Sequence, residues 1–191
     1  MSHTPLIDAR VWQLLLTVDR DLAAEARAGG CACGGRLHSA RYPRKPRGGL
    51  PAELRPEYSR RESLCCAREE CRRRTTPPSV RFLGRRVFVA AVVVLVSAMT
   101  GGLTTRRAAQ LRAQFGVRER TLQRWRAWWL QTFPRTAFWK GTRGRLMPPV
   151  DQQRLPASLL ERFADPTGAG LVACLTFLAP ITTREGYAMA A

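Results

Sequence analysis

The sequence predicts a mainly α fold carrying one small β segment, and three observations predict it. Apolar residues recur at helical spacing over 8–28 and again over 85–133. Between 31 and about 83 that period disappears, and short alternating runs replace it. Cysteines stand at both ends of those runs, in "CACGG" and in "CCAREEC". Four segments are expected: an N-terminal helix over 1–30, a cysteine-bearing β segment over 31–84, a helical unit over 85–133, and a basic loop with short helices over 134–191.

In chain order, "DARVWQLLLTVDRDLAAEARA" (8–28) reads as an amphipathic helix with Val11, Leu14, Leu15, Val18 and Leu22 on one stripe. Gly29 and Gly30 end it. The runs "GRLHSARY", "EYSRRESL" and "SVRFL" read as strands, separated by the turn-rich "PRKPRGGLP" and "TTPPS". "VFVAAVVVLVSAM" (87–99) is apolar except for Ser97. A membrane-spanning helix needs about 20 such residues, and a run of this length is expected as a buried core helix. "PRTAFWKGTRGRLMPPV" reads as a loop, 156–164 and 169–179 as short helices, and "ITTREGYAMAA" as an unanchored tail.

Charge narrows the function. The net charge is +18, carried by 30 arginines and 2 lysines against 14 acidic residues. Codon preference explains arginine over lysine, but not a basic excess of more than twofold. Such a surface suits a polyanion, because each arginine placed on a phosphate releases condensed counterions. "MSHTPLIDARVWQLLL" has neither a basic n-region nor a small-residue cleavage site, so a cytoplasmic, nucleoid-associated location is expected. In that setting six cysteines point to reduced thiols or metal rather than to disulfides.

Cys31, Cys33, Cys66 and Cys71 are the candidate metal ligands, with structural Zn2+ as the expected ion. Zinc takes four soft ligands at tetrahedral corners, which two short turns brought together by a hairpin supply. The spacing is C-x-C and C-x4-C rather than the commoner C-x2-C, and Cys65 or His38 remains open as a substitute ligand. Cys174, in "GLVACLTFL", reads as a core residue.

"TTRRAAQLRAQFGVRERTLQRWRAWWLQTF" (104–133) has the grammar of a helix-turn-helix: a first helix with small Ala108 and Ala109, a turn at Gly116, Val117 as a core plug, and a second helix from Arg118. At 100° per residue, Leu122, Trp125, Trp129 and Phe133 share one stripe, while Arg120, Gln123, Arg124 and Gln131 share the other. Arginine pairs with guanine and glutamine with adenine in the major groove, so Arg120, Gln123 and Arg124 are the expected base contacts. Arg72, Arg73, Arg74, Arg106 and Arg107 are expected on phosphates, and Arg118 is a further expected DNA contact.

A cysteine hairpin followed by a helix-turn-helix ending "RTLQRW", with "CRRRTTPPS" after the second cysteine pair, resembles the DNA-binding portions of bacterial insertion-sequence transposases and their small accessory proteins. The resemblance covers about 31–133 and implies recognition of DNA ends or promoter sites, with zinc as a structural ion. Such transposases need three carboxylates on a large domain, whereas the acids after Phe133 are Asp151, Glu161, Asp165 and Glu185. No nucleophile–base pair or Gly-rich phosphate loop stands elsewhere. The expectation is therefore a non-enzymatic protein, an accessory factor or transcriptional regulator. Its partners would be duplex DNA and either a transposase or a second copy of itself, with no small-molecule substrate. RNA or a nucleoprotein as partner, and a single span over Val87–Leu103, are the alternatives.

Overall fold

A computed structural model describes residues 8–83, 88–99, 109, 113, 115–165 and 169–188. Arg106, Arg107 and Ala108 lie outside the described residues. Asp8 opens helix α1 (Ala9–Ala28), its carboxylate accepting the Val11 N–H at 2.8 Å. Gly30, at φ +69°, turns the chain out of it. The helix is as expected, but the stripe is rotated. Trp12, Leu15, Leu16, Asp19 and Ala23 are buried, and Leu14 is 44% exposed. The bulkiest side chain, Trp12, fixes the inward face, and Asp19 follows it inward because an arginine meets it there.

Residues 37–66 form one long antiparallel hairpin. Strand β1 (Leu37–Ser39) pairs with β4 (Leu64–Cys66), and β2 (Tyr42–Pro43) with β3 (Arg60–Arg61). Leu37 faces Cys66 and Pro43 faces Arg60 in the same register. The Ala40 N–H to Ser63 (2.8 Å) and the Arg44 N–H to Ser59 (2.6 Å) carry that register between and beyond the strands. Strand β5 (Arg74–Thr75) adds antiparallel to β4. "SVRFL" makes no strand. It is buried across α1, and its Val80 N–H donates to Asp19 at 2.7 Å, so a carboxylate does the work of a neighbouring strand.

At its far end the hairpin carries the short helix α2 (Arg55–Tyr58) and leans on the helical part of the chain. The Val89 N–H donates to the Arg47 carbonyl at 3.0 Å. Gly48, at φ +120°, lies so close that a Cβ there would stand 2.8 Å from Val92.

Helix α3 (Ala90–Met99) is the apolar run expected in the core. Ala90 to Val94 are at most 1% exposed. Around it lie α4 (Glu119–Ala127), α6 (Ala157–Arg162) and α7 (Ala169–Leu178). Among the described residues no helix is long and apolar enough to cross a membrane. One core joins Trp12, Tyr58 and Phe82 to α3, Trp129 and Leu178, while Cys31, Leu37, Leu64 and Cys66 make a small separate cluster.

Two expectations about the C-terminal part are corrected. The segment read as a loop contains α5 (Ala137–Thr142), capped by Thr136, with Phe138 and Trp139 buried against Phe133. Six residues are too few to display a helical period. The tail is also anchored. Ile181 is buried, Thr182 Oγ1 accepts the Ser79 N–H at 2.9 Å, and the short α8 (Arg184–Tyr187) returns Ala188 to bond Ala137.

Candidate metal centre and basic groove

The hairpin register brings the cysteine turns together. Cys66 ends β4 opposite Leu37, directly after the turn that carries Cys31 and Cys33. Cys71 lies in the turn between β4 and β5. The Sγ atoms of Cys31, Cys33, Cys66 and Cys71 all lie within 4.8 Å of one another. Cys31 to Cys71 is 3.7 Å and Cys33 to Cys66 is 3.5 Å. A tetrahedral ion with metal–sulfur bonds of about 2.3 Å sets its sulfurs about 3.8 Å apart, whereas a disulfide needs about 2.05 Å. The four thiols are therefore spaced for a shared ion, and all are free cysteines.

The backbone around them is shaped for anionic sulfur. The amides of Gly35, Arg68 and Arg73 bond Cys33, Cys66 and Cys71, in each case two residues upstream. Such bonds require the chain to curl around the sulfur. Gly34 does so at φ +76° after Cys33, and Arg72 at φ +42° after Cys71. Arginine in that left-handed conformation costs about 1–2 kcal/mol that glycine avoids. Gly35 has a second constraint, since a Cβ there would lie 2.6 Å from Cys66 Sγ. Arg68 closes over the first turn, donating to the Cys33 carbonyl at 2.7 Å.

Cys65 and His38 are not in the cluster. They face each other across β1 and β4, and the Cys65 thiol donates to the carbonyls of Cys66 and Arg72. Strand alternation turns Cys65 to the opposite face from Cys66. Cys174 is fully buried in the main core, and burial pushes its thiol up to about 12.

Without metal the thiols are uneven. The Gly35 amide, helped by the neighbouring thiols, lowers Cys33 to about 7. At Cys66 the Arg68 amide pulls downward, but burial and the other thiols prevail and push it up to about 12. At Cys71 the Arg73 amide is likewise outweighed, by Cys33 and burial, and the thiol is raised. Between pH 6 and 8 both raised thiols hold protons that a metal must displace. Apparent metal affinity is therefore expected to rise at least about 100-fold per pH unit across that range. Competition with a chelator at pH 6, 7 and 8 measures the slope, and a flat profile contradicts thiolate ligation.

Arg72, Arg73 and Arg74 stand exposed just beyond Cys71. Among the described residues the Arg72 guanidinium has only a loose 3.9 Å contact, with exposed Glu69. The residues expected on the second helix lie at the other end of the hairpin, whose seven steps from 37 to 44 cover roughly 23 Å. Phe115 is helical, Gly116 turns at φ +62°, Val117 is buried, and Arg118 leads into α4 without a side-chain cap. Leu122, Trp125, Trp129 and Phe133 are all buried, as their spacing predicts. Arg118, Arg120, Gln123 and Arg124 are all exposed.

Arg118, Arg120, Thr121, Arg124 and Gln131 line one wall of a groove of about 860 Å³, with Phe88, Trp125 and Trp128 also bordering it. Arg47, from the hairpin turn, borders the same groove. Gln123 is not among its lining residues. Arg124 is steadied by Thr121, whose hydroxyl accepts from it at 3.3 Å. Among the described residues none of these arginines is in an ion pair. Sequence reasoning missed Arg47 and Phe88. The signal available for Arg47 was its place in the proline-bounded basic turn "PRKPRGG". No protein-family model, curated protein or solved structure matches this chain.

Proposed function

We propose that the protein is a non-enzymatic DNA-binding protein, an accessory factor or regulator of the insertion-sequence transposase type. In this reading the hairpin with its two cysteine turns is a zinc ribbon, and the chain around Gly116 is a helix-turn-helix. The observation that carries the proposal is the face of α4. Arg120, Gln123 and Arg124 stand exposed together, away from the buried Leu122 and Trp125, and Arg118 is exposed at the start of the helix. Arginine and glutamine on an exposed helix match guanine and adenine edges in a duplex. The zinc ion has a structural role: four thiolates leave no coordination position for substrate. It fixes the turn that presents Arg72, Arg73 and Arg74 to phosphates, so the backbone contacts and the α4 contacts fall at two ends of one rigid hairpin.

The test is binding to genomic DNA fragments at moderate salt, followed by sequencing of the bound pool. An enriched sequence is expected, with affinity falling steeply as salt rises. Arg124→Ala is expected to cost about 1–3 kcal/mol on the enriched site and to relax preference at one position. Equal binding of all fragments overturns the helix-reading part. Preference for structured RNA over any duplex overturns the choice of DNA.

A further inference from the structure

Beside the α4 face proposed to meet the duplex lies a groove, and a groove is not itself an element that a duplex can receive. A duplex receives a protruding element into a major groove about 12 Å wide. Here Arg118, Arg120 and Arg124 form the wall of a hollow whose lining also includes Arg47 from the hairpin turn. The half-open hollow offers about 860 Å³, room for a few nucleotides of one strand.

Its lining is matched to a single strand in two respects. Among the described residues it holds four guanidinium groups and no carboxylate, from segments about 70 residues apart in sequence. It also holds aromatic rings. Trp125 and Trp128 are buried, but Phe88 is only partly so, held edge-to-face on Trp125 at 5.2 Å and 83°. Basic walls that follow a backbone, with a ring on which a base can lie, are how unpaired strands are held without regard to sequence. The N-terminus of α4, uncapped by any side chain, adds partial positive charge at the same place.

We infer that this groove binds an unpaired DNA strand: Arg47 and Arg118 take its phosphates and Phe88 takes a base, while Arg120 and Arg124 on the groove's edge keep their place on the duplex. The inference rests on the DNA-binding reading and narrows it. Arg120, Gln123, Arg124 and the arginines at 72–74 serve the adjoining duplex, and the preferred ligand becomes a junction where a duplex gives way to a single strand.

Fluorescence anisotropy on the full chain with bound metal tests this, using a blunt 20-base-pair duplex, the same duplex with six unpaired nucleotides at either end, and the unpaired strand alone. The overhang is expected to tighten binding by about 10-fold or more, the gain of roughly one stacked base. Arg47→Ala, and Ala127→Trp, which fills the groove from its rim, are expected to abolish that gain while leaving blunt-duplex affinity within about twofold. Blunt and overhung duplexes bound equally by the wild type would overturn the inference and leave the proposed function standing. Variants that weaken both ligands alike overturn it too, since the groove would then be one more part of the duplex face. If no DNA is bound even at low salt, the proposed function fails and the inference falls with it. Circular dichroism on both variants guards against misfolding, and either one alone decides the result.

Discussion

Cys66→Ser is expected to abolish stoichiometric metal binding and unravel the cysteine end of the hairpin while the helical core stays folded. The expectation follows from how little else holds that end together. Its apolar cluster consists of Cys31, Leu37, Leu64 and Cys66, apart from the main core. Burying a leucine stabilises by about 1.5–3 kcal/mol, whereas fixing each backbone residue costs about 1–2 kcal/mol. Two leucines cannot hold two cysteine turns and three strands in place. A structural zinc ion contributes about 10–16 kcal/mol, and in such small sites most of it is folding energy. Hydrogen exchange is the measurement: in Cys66→Ser, or after chelation, the amides of Ala40, Cys66 and Ala67 should lose protection while those of α3 keep it. Cys65→Ser should behave as wild type, because that thiol lies on the other face. A metal-free chain with a fully protected hairpin would remove the basis for a metal centre.

Asp19→Ala is the second large effect expected, by a different route. Asp19 is 1% exposed and accepts from Arg81 Nε at 2.6 Å, the Val80 N–H at 2.7 Å and the Ser79 hydroxyl at 2.8 Å. Arg81 is as deeply buried. It also donates to the carbonyls of Glu57 and Arg60 and lies over the rings of Tyr58 and Phe82. Burial lowers the pKa of nearby Arg61, and Asp19 opposes that shift. Removing the carboxylate leaves buried positive charge uncompensated, which costs about 3–5 kcal/mol. For a chain of this length the melting temperature should fall by roughly 6–20 °C. The double variant Asp19→Leu with Arg81→Leu should recover part of the loss, since it buries no lone charge. A double variant less stable than Asp19→Ala would mean that the network contributes more than charge neutrality.

Much of this was legible in the sequence where the determining chemistry is local. Cys31, Cys33, Cys66 and Cys71 could be named because the glycines after Cys33 and the tight turn before Cys71 signal curled backbone around sulfur. The buried stripe of Leu122, Trp125, Trp129 and Phe133 was legible because four residues at helical spacing overdetermine one face. The inward face of α1 was not, because Asp19 looks like a solvent residue until Arg81, 62 positions away, is seen beside it. For the same reason "SVRFL" resembled a strand, since nothing in it shows that a helix side chain bonds its amides. The groove was half legible. Its α4 wall follows from periodicity, but Arg47 joins it through the Val89 N–H on its carbonyl and the close approach of Gly48 to Val92.

The wrapping of α3 has a consequence for how the chain is made. Its valines are covered by α4, α6 and α7, and α1 also rests on α7, which ends at Leu178. Ser79 likewise meets Thr182 across 103 positions. The 79 residues from Met99 to Leu178 take roughly 4–16 s to synthesise at 5–20 residues per second. Throughout that interval α3 lacks α6 and α7, and of its covering helices only α4 is made early. The core around α3 is therefore completed only after α6 and α7 have followed it in synthesis, so α3 cannot reach its native packing at the time it is made.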